Sequence, residues 1–173
     1  MSGAATRPGA DALSITRLTE AEYSLASEIV VASVQAFWPP DYPAAVIEAV
    51  VEGNGPAAIR ERSDKQEDYL ARRGGRPVGY GAVKQNEIGH LFVHPDAAGQ
   101  GVGSALVAFS EGLVRERGFE TIIVYASLSA LGFYEKRGFR RVRPKSFELR
   151  PNVFLDSVLM VKPLAGCPPR PGR

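Results

Sequence analysis

The segment Val93-His-Pro-Asp-Ala-Ala-Gly-Gln-Gly-Val-Gly-Ser-Ala-Leu106 holds the chain's most chemically suggestive spacing. Its glycines fall between a strand pattern and a helix pattern, where backbone N–H groups without intrahelical acceptors point outward together and attract phosphate. Gly101 and Gly103 take two Cβ atoms out of the way of an approaching pyrophosphate. Two nucleotide readings lose ground on spacing. A Walker loop needs Gly-Lys-Ser/Thr after its four spacers, and the chain has none. A dinucleotide fingerprint needs Gly or Ala where Leu106 stands, and an acidic residue closing the next strand, whereas Glu120 precedes that strand. A turn that only tightens a strand-to-helix junction is the plain structural alternative. His90 and His94 are four residues apart, but on a strand ended by Pro95 that interval does not align two imidazoles, so no metal is expected. His90 reads instead as a hydrogen-bonded strand histidine or a proton relay.

These residues need a scaffold. Leu13–Leu18 alternates as a short strand, and Thr19 with Glu22 makes a capping-box start for a helix running to about Ala36. Trp38-Pro-Pro-Asp-Tyr-Pro43 stops it. A second helix is expected over 44–51, with Val46, Ile47, Val50 and Val51 on one face, while 57–67 fits neither pattern. Residues 69–83 read as two strands turning at Gly74-Gly75, and 87–93 as a third. The apolar set Val102, Ala105, Leu106, Phe109 and Leu113 predicts a helix over 102–117, followed by a buried strand over 121–126. That succession predicts a right-handed crossover with parallel strands. A short helix over 130–137 and strands over 139–143 and 153–161 complete a mixed α/β domain around one sheet.

A length of 173 residues suits one domain, and 45% hydrophobic with 23% charged residues is a globular composition. The domain is expected over 13–164, between disordered ends at 1–12 and 165–173. Cys167, the single cysteine, cannot form an internal disulfide. Twenty-one Lys and Arg against nineteen Asp and Glu leave +2, too little to argue for nucleic acid or a membrane surface as partner. No signal-like start and no apolar run approaching ~20 residues is present, so a soluble cytoplasmic protein is expected.

The strand ending Leu91-Phe-Val-His-Pro-Asp96, the turn Gly99-Gln-Gly-Val-Gly-Ser104 and the run Phe133-Tyr-Glu-Lys-Arg-Gly-Phe139 together resemble the acyl-CoA-binding motifs of the GNAT N-acetyltransferase superfamily. The resemblance covers roughly 13–164. It implies a mostly antiparallel sheet whose one parallel pair, 87–93 with 121–126, splays to hold coenzyme A, and acetyl-CoA as the cofactor. It places the pyrophosphate on Ala98, Gly99, Gln100, Gly101, Val102, Gly103 and Ser104, and the pantetheine arm along Leu91, Phe92 and Val93 as an added strand. Two positions depart from the family pattern. Ala98 and Gln100 stand where a polar or basic residue and a further basic residue are usual, and Ser127 stands where many members carry Asn. Backbone amides supply most of such a cradle, and Arg or Lys residues between Arg137 and Lys145 are candidates for the missing charge.

The same resemblance implies a reaction. An alkylamine with pKa near ~10 must lose a proton before it attacks a thioester, and Glu87, at the start of the strand feeding the turn, is the candidate base beside the acceptor. A backbone N–H where the strand is distorted near Phe92 or Val93 would stabilise the developing oxyanion. Tyr134 would hydrogen-bond to or protonate the departing thiolate, as well as contacting the cofactor. Trp38 and Tyr42, with Asp41 between them, lie where the family often covers the acceptor. Plain alternatives are an exposed strand-end carboxylate for Glu87, core packing for Tyr134, and a core-capping loop around Trp38 and Tyr42. The expected activity is transfer of acetyl to a primary amine of a small molecule or peptide in a ternary complex. The rivals are a CoA-binding sensor that has lost turnover and a nucleotide-binding module. A homodimer is left open.

Overall fold

The computed structural model describes residues 12–164; the expected disordered ends, with Cys167, lie outside the described residues apart from Ala12. Seven strands form one sheet: β1 (Leu13–Arg17), β2 (Glu67–Arg73), β3 (Arg76–Lys84), β4 (Glu87–Val93), β5 (Thr121–Ser127), β6 (Arg140–Arg150) and β7 (Val153–Pro163). Their order across the sheet is β1-β2-β3-β4-β5-β7-β6. Every neighbouring pair is antiparallel except β4 with β5.

Helices cover both faces. On one side α1 (Tyr23–Phe37), α2 (Ala44–Glu52) and α3 (Pro56–Ser63) enclose Val30, Val34, Val46, Val50, Ile59, Leu70 and Tyr80. On the other, α4 (Val102–Glu116) and α5 (Leu131–Glu135) enclose Leu106, Val107, Val114, Ile122, Val124 and Met160. The entry to α1 carries the expected capping box, with the Glu22 carboxylate accepting both the N–H and the hydroxyl of Thr19 at 2.8 Å. A 3-10 turn over Glu20–Glu22 intervenes before α1 proper. The hairpin between β2 and β3 turns at Gly74 and Gly75 with φ of 55° and 80°, a pair of left-handed residues suited to a two-residue turn.

Two segments differ from expectation. The segment that fitted neither pattern contains α3, started by Pro56 at its first position, with Ile59 as its one buried residue. A single anchor leaves no periodicity to read. β6 runs to Arg150 rather than stopping near 143, and joins β7 through Asn152 at φ 63°. It is an edge strand, almost wholly exposed, whose Arg, Lys and Pro residues keep a free edge from pairing further but hide its alternation.

The feature that matters for function is the β4–β5 junction. Only Glu87 with Ile123 and Ile88 with Val124 are in register, after which the two strands diverge. β4 remains paired to β3 as far as Val93, and β5 to β7 as far as Ser127. Each therefore presents an unpaired backbone edge to the gap.

Candidate active site

The divergence opens a cleft of about 440 Å³. Leu91, Phe92 and Val93 line it from β4, Val124 to Ser127 from β5, and Phe133 and Tyr134 from α5. Phe37, Trp38, Asn54 and Arg62 close the end beneath α1–α3, and Phe147, Leu149 and Leu155 form a wall from the β6–β7 hairpin. That wall depends on the half of β6 the sequence pattern concealed.

The glycine turn adjoins this cleft. Gly99 and Gly101 have φ of 73° and 82°, and a Cβ at either would meet nothing within 4 Å, so these glycines are required by backbone conformation rather than by crowding. Gly101 caps α4, leaving the first-turn amides of Val102, Gly103 and Ser104 without intrahelical acceptors. Gly103 has a different reason from the one expected. A Cβ there would lie 2.8 Å from Cε2 of Phe133, so the ring of a cleft-lining residue, rather than a ligand, fills the space it leaves. The guanidinium of Arg137 stacks 3.6 Å from the centre of that same ring.

The basic residues missing at 98 and 100 have non-local counterparts. Arg73, at the end of β2, donates to the Gln100 side chain at 2.5 Å and to its carbonyl at 3.0 Å. Gln100 in turn donates to the Asp96 carbonyl at 2.8 Å, so its side chain braces the turn. Arg137 donates to the Ser104 hydroxyl and, at 2.7 Å, to the Phe133 carbonyl, while its buried Nε has no partner among the described residues. Arg137 lies at the edge of the range expected to supply charge. Nothing local in the sequence points to Arg73.

Tyr134 is 5% exposed, with its ring edge-on to Phe133 and Phe139 at centroid distances of 5.0 and 5.2 Å. Its hydroxyl makes no hydrogen bond to a described residue, and burial raises its pKa, so it is a protonated phenol at neutral pH. Ser127 also lines the cleft. Glu87 does not, although its neighbour Ile88 does. Glu87 is half-buried, and burial raises its carboxyl pKa against the opposing pull of Lys84.

β4 is distorted, but not near Phe92 or Val93. Ala82 pairs with His90 and Val83 with Ile88, so Gly89 is the extra residue of a bulge three positions earlier, where glycine accommodates the kink. His90 follows the bulge, with its ring stacked between Tyr80 at 5.9 Å and Phe92 at 6.2 Å. Burial and the nearby Arg62 push its pKa down to about 3, so it is neutral over the physiological range. His94 caps the following turn, its Nδ1 accepting from Asp96 N at 3.2 Å.

Trp38 lines the cleft, whereas Tyr42 does not. Tyr42 packs 4.7 Å from Trp38, donates to the Asp156 carbonyl at 2.6 Å and accepts from Leu128 N at 2.8 Å, fastening the α1–α2 loop to the sheet. Among the described residues no helix is long and apolar enough to cross a membrane.

Comparison with known proteins agrees with this architecture. The uncharacterized N-acetyltransferase YafP of Escherichia coli is 30% identical over 104 residues, an alignment covering 60% of this chain and 66% of that relative. A GCN5-related N-acetyltransferase from Rhodopseudomonas palustris superposes with a TM-score of 0.83 at 28% identity, over 87% of this chain and 95% of the other. The PaiA N-acetyltransferase of Thermoplasma acidophilum, solved with coenzyme A, shares the fold with a TM-score of 0.74 at 18% identity, over 88% and 99%. The family model for the acetyltransferase (GNAT) domain matches residues 39–149, which run from the end of α1 through the cleft into β6, and the chain belongs to that family.

Proposed function

We propose that this chain transfers an acetyl group from acetyl-CoA to a primary amine of a small molecule or peptide, with both bound at once in the β4–β5 cleft. The observation that carries this reading is a juxtaposition: unpaired strand edges flank a cleft, a glycine turn whose Gly103 abuts the cleft-lining Phe133 adjoins it, and the Tyr134 phenol, without a hydrogen bond among the described residues, lines the same gap. The residues present fit the cofactor. Positive φ at Gly99 and Gly101 is the conformation in which successive backbone N–H groups can converge on an anion, and the Arg137 guanidinium, which donates to Ser104, adds positive charge at the edge of the cradle. Ala98, Gly99, Gln100, Gly101, Val102, Gly103 and Ser104 would hold the diphosphate, chiefly through the main chain. Leu91, Phe92, Val93 and Ser127 would hold the arm.

Acetyl-CoA supplies an activated acyl carbon bound to sulfur. This chain's residues orient it and move two protons. Glu87, set back from the cleft lining, would take a proton through water from the incoming ammonium, leaving a neutral nitrogen to bond to that carbon as the C–S bond breaks, with the nitrogen's second proton passing to solvent. The Tyr134 hydroxyl donates its proton to the departing sulfur. Unpaired N–H groups on the β5-facing edge of β4 would stabilise charge on the thioester oxygen. Attack is direct, without a covalent enzyme intermediate.

Calorimetry with CoA and acetyl-CoA, paired with an amine-dependent thiol-release assay over amino acids, peptides, polyamines and aminoglycosides, tests the proposal. Binding with amine-dependent release is expected, and Glu87→Gln should lower kcat and remove the acidic limb of its pH profile. Tight binding without release from any amine would assign the chain to CoA sensing instead. Competition by NAD or ATP with no affinity for CoA would mark a nucleotide module.

A further inference from the structure

The acceptor end of the cleft has an unusual charge distribution for a site that receives an amine. Among the described residues lining the cleft there is no Asp or Glu, and one residue with a fixed charge, Arg62. His90 beside it is neutral. The other walls are mainly apolar or aromatic, with Phe37, Trp38 and Val50 from the helices and Phe147, Leu149 and Leu155 from the hairpin, and their polar groups, such as Ser33 and Ser157, are uncharged.

Arg62 is held in place but not neutralised by contact. It donates to the Gly53 carbonyl at 2.8 Å and to Asn54 Oδ1 at 2.5 Å, and Asn54 is fixed in turn by donating to the Val50 carbonyl at 2.8 Å. Two of its five N–H groups are used this way, the guanidinium also interacts with the Tyr80 hydroxyl, and the Nε is buried with no partner among the described residues. No ion pair within 4.0 Å among the described residues involves Arg62. Asp68 is the nearest counter-charge and feels Arg62 from beyond ion-pair distance; its Oδ1 accepts from Tyr80 at 2.6 Å and Gln66 at 2.9 Å, while its buried Oδ2 has no hydrogen-bond partner among the described residues. A guanidinium fixed at a largely apolar wall, with no carboxylate in ion-pair contact, has the chemistry of a carboxylate receptor. The same wall disfavours polyamines and aminoglycosides, because no carboxylate lines it to meet their additional ammonium groups.

We infer that the acceptor is an amine carrying a carboxylate on an apolar body, the chemistry of an apolar amino acid, with Arg62 as its carboxylate anchor. This rests on the acetyltransferase reading and names the substrate class of that same site.

Two measurements on the full chain test it. In the first, thiol release is compared for leucine, methionine and phenylalanine, for their amides, for 3-methylbutylamine and phenethylamine, and for spermidine. The free acids are expected to exceed their own amides in kcat/KM by about tenfold or more. Arg62→Gln should abolish that ratio with CoA affinity unchanged, and Arg62→Lys should retain part of it. A brace lost for structural reasons alone would lower acid and amide together. Equal rates for acid and amide in the unsubstituted protein, or preference for spermidine, would overturn the inference without need of a variant. In the second, CoA-loaded protein is titrated by calorimetry with N-acetyl-leucine and N-acetyl-leucinamide, which requires no turnover. Tighter binding of the acid supports the inference, and indistinguishable or weaker binding overturns it. CoA binding with no release from any amine would count against turnover while this titration still decides the anchor.

Discussion

A pair of glycines in α4 gives a test whose size can be worked from the structure. Gly112 lies in the helix with nothing within 4 Å of where a Cβ would go, while Gly103 in the first turn would place its Cβ 2.8 and 3.0 Å from two atoms of the Phe133 ring. Alanine in an unobstructed helical site is more favourable than glycine by about 0.5–1 kcal/mol, so Gly112→Ala should stabilise the protein by that amount. Gly103→Ala gains no more than this from the helix. It must also displace a ring packed against Tyr134 on one side and Arg137 on another, an overpacking cost of roughly 1–3 kcal/mol. The two variants should therefore separate by about 1–3 kcal/mol in urea unfolding at unchanged m value, which is several degrees in Tm for a chain of this size. Moving Phe133 also disturbs the turn and the neighbouring phenol, so Gly103→Ala should weaken CoA binding while Gly112→Ala leaves it unchanged. If both substitutions stabilise equally and bind CoA alike, the tight Gly103–Phe133 contact is not what joins the turn to the cleft.

Other perturbations separate the proposed roles. Tyr134→Phe should lower kcat by about a hundredfold with little change in stability or CoA affinity, because the hydroxyl has no hydrogen-bond partner among the described residues to lose; an unchanged kcat would leave Tyr134 as packing alone. Arg73→Ala removes both contacts to Gln100 and should raise the Kd for CoA by roughly 3–10-fold at low salt, with a smaller ratio in about 0.5 M salt; an unchanged Kd would show that the turn holds its shape unaided. His90 has a folded pKa lowered to about 3, so below its ordinary value the unfolded chain takes up a proton that the native state refuses. Its contribution to stability is full above about pH 6.5 and is lost as pH falls toward 3, with a slope of up to about 1.4 kcal/mol per pH unit that His90→Phe should remove. An imidazole resonance of His90 titrating near pH 6.5 in the native protein would contradict its burial.

Legibility in the sequence followed locality. The strand, glycine turn, helix and strand from Glu87 to Ser127 are read correctly because period, breakers and turn chemistry all act within a few residues of one another. The splay is legible only through the family resemblance, since divergence of two strands leaves no mark in either one. α3 was unreadable because Ile59 alone anchors it, yet it carries Arg62. The outer half of β6 was hidden by an exposed, charged edge, yet it carries Phe147 and Leu149 into the cleft wall. Arg73 reaches Gln100 across 27 positions, and no local pattern encodes a pairing of that kind. The bulge at Gly89 depends on register with β3, so its position could not be read from β4 alone. The sequence sets Trp38 and Tyr42 side by side as aromatic neighbours, but only the structure separates the one that lines the cleft from the one that fastens the loop behind it.

The most direct measurement is a crystal structure of the chain grown with acetyl-CoA. The diphosphate should lie on the amides of 99–104, with the arm between β4 and β5 and the sulfur within hydrogen-bond reach of the Tyr134 hydroxyl. Cofactor bound elsewhere on the surface, or β4 and β5 closed against each other beyond Ile88 and Val124 with no room between them, would contradict it.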